Sequence, residues 1–182
     1  MTPAHVSSNL LTFLNEKGLY QYDFHATLYS SFSKELVSKE VQIDPKITIR
    51  KLKRNEFEIF AEIYTRGFDM PPFLINGVAQ NNEVLYNDKN WTFYLASVEN
   101  EPAGIGVIFI KDRIATLAAS ATVPHLRNKG IQSGLIKQRI YQATLQECEL
   151  IVGQAKFGSV SQNNMERAGL TIAYTKALWI KK

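Results

Sequence analysis

Arg127, Lys129, Gly130 and Gln132 fall within a few positions of one another, just after an apolar, β-branched run that ends at Pro124. This spacing suits the binding of a pyrophosphate. An amphipathic segment opens at Gly130. The first N–H groups of a helix have no partner inside it, and the helix dipole puts partial positive charge at the same end. Gly130 removes the Cβ that would hold a ligand off the backbone, and Arg127 and Lys129 add charge at the rim. The stretch predicts a bound phosphorylated cofactor before any reaction is assigned.

These residues need a strand before them and a helix after them, and the hydrophobic pattern predicts both. Residues 114–123 alternate as a strand. Residues 130–147 form a helix with Ile131, Leu135, Ile136, Ile140 and Ala143 inward. Upstream the pattern predicts a strand at 47–52, helices at 54–67 and 74–84, and strands at 91–98 and 103–110. Downstream it predicts a strand at 150–154, a short helix at 159–168 stopped by Gly169, and a last strand at 171–180. A helical crossover joins the strands on either side of the long helix, so these two should be parallel neighbours. The expected fold class is α/β (α+β), with a mixed sheet flanked by helices and a ligand at the carboxyl ends of its strands.

Residues 1–44 read as an N-terminal arm and 45–182 as the main domain, divided at Asp44-Pro45. In the arm, Val6, Leu10, Leu11 and Leu14 fall at helical spacing, with Ser7 or Ser8 as the cap and Gly18 as the stop. Tyr20, Tyr22, Phe24 and Ala26 then alternate on one phase of a strand at 19–32. With Tyr29 and Phe32 added, the arm holds more aromatic surface than a solvated tail carries. It is too short to bury that surface itself, so it must cap the sheet or dock a second subunit, which makes a homodimer the expectation.

The chain of 182 residues is 45% hydrophobic and 11% aromatic, enough for one full core. Its formal charge of +4 is spread among charges of both signs. Arg50, Lys51, Lys53 and Arg54 make the densest basic cluster, which reads as a solvated surface and not as a nucleic-acid interface. One cysteine, Cys148, excludes an internal disulfide and a multi-cysteine metal site, and its apolar context reads as a buried structural thiol. His5, His25 and His125 join no cluster with metal-ligand spacing, so no metal is expected. Ser159 and Ser161 read as helix caps. No apolar run reaches membrane-spanning length, so a cytoplasmic, membrane-free protein is expected.

Two motifs, in order, give the chain a resemblance to the GNAT superfamily, the general-control-related N-acetyltransferases of the bacterial-type branch. One is Arg127-Asn-Lys-Gly130-Ile-Gln132, similar to that family's acyl-CoA loop. The other, Ser161-Gln-Asn-Asn164-Met-Glu-Arg167-Ala-Gly169-Leu170, is similar to its Ser-x-x-Asn-x-x-Arg-x-Gly-Phe block. The resemblance covers residues 46–182. The resemblance implies a centrally splayed sheet in the acyl-CoA acyltransferase fold. It further implies an acetyl-CoA-dependent enzyme that acetylates a primary amine of a small molecule or an exposed protein amine, releasing CoA. Gln132 stands where many members have a small residue, which we read as a subtype whose amide reaches a phosphate oxygen.

By the same resemblance the pantetheine arm lies along Ser120, Ala121, Thr122 and Val123, and an N–H near Thr122 or Val123 polarises the thioester carbonyl. The pyrophosphate sits on N–H groups from Asn128 to Ser133, that is on Asn128, Lys129, Gly130, Ile131, Gln132 and Ser133, and Asn164 contacts the pantetheine or phosphate side. Many members carry a tyrosine acid at the place of Met165, which cannot donate a proton. Tyr174 is the nearest substitute, although it also fits as an ordinary strand aromatic. The predicted strand before the loop holds no carboxylate, so Asp69, Glu62 and Tyr64 are the options for a base, with Asp69 foremost. A base-poor site that positions a neutral amine also serves. The departures leave a second reading open, a non-catalytic acyl-CoA-binding or regulatory module.

Overall fold

The computed structural model describes residues 7–31 and 44–181. A short helix, α1 (Ser8–Glu16), is capped by the Ser7 hydroxyl and ends before Gly18, which takes φ +71. It leads into the long strand β1 (Leu19–Ser31). The main run continues with β2 (Ile47–Lys51), α2 (Phe57–Gly67) and α3 (Ile75–Glu83). Next come the antiparallel strands β3 (Trp91–Val98), β4 (Glu101–Lys111) and β5 (Ile114–Thr122). The helix α4 (Ile131–Leu145), β6 (Leu150–Lys156), α5 (Val160–Arg167) and β7 (Thr171–Lys181) complete the order. The predicted elements from residue 45 onward are all present, with ends shifted by up to three residues, the largest shift being at α2, whose predicted first three residues, Arg54–Glu56, form a 3-10 turn. His5, Val6 and Phe32, named above from the sequence, lie outside the described residues.

The seven strands form one open sheet in the order β2-β3-β4-β5-β6-β1-β7. β5 and β6 are parallel neighbours, as the crossover through α4 requires. The arm's strand is an interior strand. β1 runs antiparallel to β6 on one side and to β7 on the other, with Thr27 opposite both Gln154 and Tyr174. A register shift between Gln21 and Asp23 breaks its alternation. Tyr20, Tyr22 and Phe24 stay exposed, while Ala26 and Leu28 are wholly buried. Phe24 lies beyond the shift, in unbroken register with Ala26, so the bulge does not account for its exposure.

Helices cover both faces of β4 and β5. α4 presses the stripe Ile131, Leu135, Arg139 against one face, and the close approach depends on Gly104, where a Cβ would stand 2.7 Å from Ile131. α5 continues the same layer, with Met165 buried over Gly153 and beside Leu117. On the opposite face α2 packs against β4 and β5, and its Phe57 and Phe60 meet Phe93 in edge-on contacts. Among the described residues, the strand contacts of α2 are chiefly with β4 and β5, and α3 packs mainly on α2. On that side β6, β1 and β7 leave Gln154, Tyr29 and Tyr174 exposed.

Candidate functional site: a forked sheet and a helix start

β5 and β6 pair only from Ile114 opposite Leu150 to Leu117 opposite Gly153, and then diverge. At the same level β5 shifts register against β4, between Val107 opposite Ala119 and Ile108 opposite Leu117. Such a bulge bends the strand, and here it swings residues 118–122 away from β6. Antiparallel alternation fixes what the free edge offers. Val123 N–H donates to Ala103 O at 2.9 Å. Thr122, which faces Gly104, therefore lies in a non-bonded pair, so its N–H and that of Ser120 point into the fork. Of the two amides expected to serve as a donor, that of Val123 is engaged with Ala103 and that of Thr122 is directed into the fork.

Arg139 holds this bend, a role that neither sequence motif points to. It is 1% exposed. Its Nε donates to Leu135 O (2.9 Å) and its Nη1 to Val107 O (3.2 Å) and Ala119 O (3.0 Å), tying α4 to both strands at the bulge. Burial lowers its pKa to about 10, so it remains a cation at neutral pH. The signal in the sequence was an arginine on the apolar stripe of the long helix, one turn after Leu135.

Beyond Thr122 the chain makes a 3-10 turn at Pro124–Leu126. Asn128 (φ 64) and Gly130 (φ 83) then turn through the left-handed region into α4. Gly130 is the N-cap and nothing lies within 4 Å of where its Cβ would be, so the approach to the backbone is open. No side chain caps α4, which leaves the N–H groups of its first turn aimed outward.

A cleft of about 580 Å³ occupies this place. Ser120, Ala121, Thr122, Arg127, Asn128, Gly130, Ile131, Gln132, Ser133 and Asn164 all line it. Val123 and Lys129 do not: Val123 is buried, and Lys129 is exposed outside the lining. The cleft suits a ligand with a diphosphate and an amide-bearing chain. The buried Thr122 Oγ1 on its wall has no hydrogen-bond partner, and the unpaired edge of β5 can take a further strand-like chain.

Several side chains are engaged otherwise than the spacing suggested. Arg127 donates to the carbonyl of Gly67 at 2.8 Å, at the negative end of α2, and more weakly to Thr122 O at 3.4 Å. It fastens α2 to the cradle as well as charging the rim. The Gln132 amide donates to Ser161 Oγ at 3.0 Å, joining the two motifs across the cleft. Asn164 accepts from Arg167 (3.1 Å), and His125 pairs with Glu101 (2.9 Å). Ser159 caps α5.

The candidates for proton transfer stand apart. Met165 is buried in the core. Tyr174 lies on β7, 43% exposed, facing Thr27 and outside the cleft lining. Asp69 (φ 53) is exposed in the loop after Phe68, which itself lines the cleft. Cys148 is buried, and burial raises its thiol pKa. Of the basic cluster, Arg50 is bound bidentately by Glu56 and Arg54 pairs with Glu83.

Sequence comparison finds no matching family model and no matching curated protein. Solved structures do match. A GCN5-related N-acetyltransferase from Sphaerobacter thermophilus superposes with a TM-score of 0.74 at 12% identity, over 96% of this chain and 56% of that one. The chain thus spans little more than half of that protein. AAC(6')-Iy, in complex with the bisubstrate analog CoA-S-monomethyl-acetylneamine, matches 68% of this chain and 89% of its own, with a TM-score of 0.59 and 14% identity. An aminoglycoside acetyltransferase from an uncultured soil metagenomic sample, in complex with sisomicin, gives 0.59 at 20% identity over 70% and 89%. The architecture these structures share with the chain is the GNAT fold.

Proposed function

We propose that the protein is an N-acetyltransferase that moves the acetyl group of acetyl-CoA to a primary amine by direct attack on the thioester. The observation that carries this is the continuity of the site. An unpaired strand edge with inward N–H groups runs into an uncapped helix start at Gly130, within a GNAT fold. Acetyl-CoA supplies an activated acyl carbon. The N–H groups at the start of α4 hold the diphosphate, the residue 120–122 edge pairs the pantetheine amides, and Thr122 N–H stabilises the carbonyl oxygen. In the transfer an N–C bond forms and a C–S bond breaks. The amine gives up a proton and the departing sulfur takes one. Asp69 at the α2 end and Tyr174 across the fork are our candidates for these proton steps.

We take residues 45–182 as the transfer unit and 1–44 as an arm whose strand β1 completes its sheet. The arm also exposes Leu11 (37%), Phe13 (51%), Tyr20 (40%), Tyr22 (66%) and Phe24 (41%), which we read as a homodimer surface. Light scattering on a Tyr22→Glu variant tests that reading, since an unaltered mass would refute it. No helix among the described residues is long and apolar enough to cross a membrane. We place the protein in the cytoplasm, with its donor.

Met165 in the core supports a second reading, a non-catalytic acyl-CoA-binding module. Incubation with acetyl-CoA and a panel of amines, following free thiol, separates the two. We expect thiol release that depends on an amine. Tight CoA binding with no transfer to any acceptor would establish the binding module instead.

A further inference from the structure

A second cavity, about 310 Å³, lies at the foot of the fork, where β5 and β6 part. Its lining includes Thr116 and Ala118 from β5, Val152 and Gln154 from β6, and Thr27 from β1. Ala118 and Ser120 stand on the same unpaired edge of β5, so this cavity follows directly on the cleft where the donor's pantetheine end is placed.

One residue of its lining and one beside it suit a polar ligand: Thr27 lines the cavity, and Lys176 stands outside the lining on β7, bonded to Gln154, which does line it. Thr27 is 9% exposed and its Oγ1 has no hydrogen-bond partner. An interior hydroxyl left unpaired is costly, and a ligand atom in the cavity would satisfy it. Opposite it, Gln154 Oε1 accepts from Lys176 Nζ at 2.8 Å. An ammonium has three N–H bonds to give, and among the described residues Lys176 has no carboxylate partner.

The charges on this face are one-sided. His25, Lys156 and Lys176 lie in register across β1, β6 and β7. β5, β6 and β7 carry no carboxylate at all. Asp23 on β1 is the acid of the floor, and Lys156 already holds it at 2.8 Å. A polycationic amine would meet uncompensated positive charge here, whereas an amine with a carboxylate would meet a half-buried lysine with N–H bonds to spare.

We propose that Thr27 and Lys176 select the acceptor, and that this acceptor is an amine bearing a carboxylate or similar anionic group. The inference rests on the acetyl-transfer reading. It gives the N-terminal strand a part in specificity, through a residue outside both recognisable motifs. The Thr27 hydroxyl bonds a polar atom of the acceptor and Lys176 bonds its anionic end.

The test uses the full chain with acetyl-CoA and two acceptors matched in length, 4-aminobutanoate and 1,4-diaminobutane. The carboxylate acceptor should be favoured at least tenfold in kcat/KM. Lys176→Glu should reverse that preference and Lys176→Arg should retain it, with KM for acetyl-CoA unchanged in both. Thr27→Val should raise the acceptor KM several-fold and leave the acetyl-CoA KM alone. Should Lys176→Glu fail to fold, Lys176→Gln removes the charge with little change of shape and must abolish the preference. A wild-type preference for the diamine, or a preference untouched at position 176, overturns this proposal and leaves the acetyl-transfer reading standing. CoA binding without transfer to either amine, or to any of the wider panel, overturns both.

Discussion

The two sides of the fork are built from different materials. On the side where we place the donor, most of the cradle is the stretch from Ser120 on the edge of β5 to Ser133 in α4, closed by Phe68 and by Asn164 of α5, and much of what it offers is backbone N–H. On the side where we place the acceptor, Thr27 of β1 and Gln154 of β6 line the cavity and Lys176 of β7 reaches it through Gln154, so this side offers side chains. A backbone cradle binds the same diphosphate whatever most of its side chains are, so it tolerates wide change around a glycine and a helix start. A floor of side chains can be refitted to a new amine by single substitutions. The contrast teaches why a donor can be named from this chain more readily than an acceptor.

The seam between the two sides is where that comparison can be broken most forcefully. Arg139 grips Val107 O and Ala119 O at the bulge that parts β5 from β6. Arg139→Ala leaves a cavity and two strand carbonyls without their buried donor, and should cost about 3–5 kcal/mol of unfolding free energy. Arg139→Met fills the space without charge and should cost less than about 2 kcal/mol. Urea denaturation measures both. If the alanine variant lost under about 1 kcal/mol, the bend would be held by the strands themselves and the two sides would not share a keystone.

Next in size is a substitution confined to the donor side. Gly130 sits at φ 83 with open space beyond its Cα. Gly130→Val is strained there by about 1–2 kcal/mol and sets two methyl groups over the helix N–H groups. CoA affinity should fall about 100-fold, or roughly 2.7 kcal/mol, the worth of one or two charge-assisted hydrogen bonds. Calorimetric titration with CoA checks this. Lys176→Glu on the acceptor side should leave the same titration unchanged, so a matching loss in both variants would mean that the two sides are not separable.

What could be read in advance follows the same division. The stripe of α4 and the glycine at its start are local patterns, and the structure has both where the periodicity put them. The place of β1 could not be read, because strand pairing is decided by partners far along the chain. Thr27 meets Gln154 and Tyr174 only after the whole sheet has formed. The alternation of Tyr20, Tyr22, Phe24 and Ala26 predicts one phase, but a register shift that no residue type announces separates Tyr20 from Phe24 and Ala26, and Phe24 keeps the phase of buried Ala26 and is still exposed. Gln132 illustrates the middle case: its position was evident, yet its partner Ser161 lies in the other motif. Arg139 was visible as a charge on an apolar stripe, a conflict that marks a buried polar role.

The smallest effect concerns how the donor side is tethered to the rest. α2 is held at its start by Glu56, which grips Arg50 at 2.6 and 2.7 Å and accepts from Lys53 N–H at 2.8 Å. At its end it is held by Arg127 on Gly67 O. The Arg50 guanidinium is the main reason that the Glu56 pKa falls from 4.5 to about 2. A carboxylate whose pKa is lowered on folding stabilises the native state above its unfolded value, and that stability is lost as pH falls through the folded one. The contribution should therefore be complete above about pH 4.5 and fade towards pH 2. Because the Arg50 side chain is 45% exposed, solvent screening brings it to about 1 kcal/mol. Glu56→Gln should lose that amount at pH 7 and show a flatter decline between pH 4.5 and 2, as acid-unfolding curves would reveal. CoA affinity at pH 7 should change less than threefold, because Arg127 still fastens the other end of α2 to the cradle. A larger loss would show that the donor cradle depends on its distant tether, and would move α2 from scaffold to site.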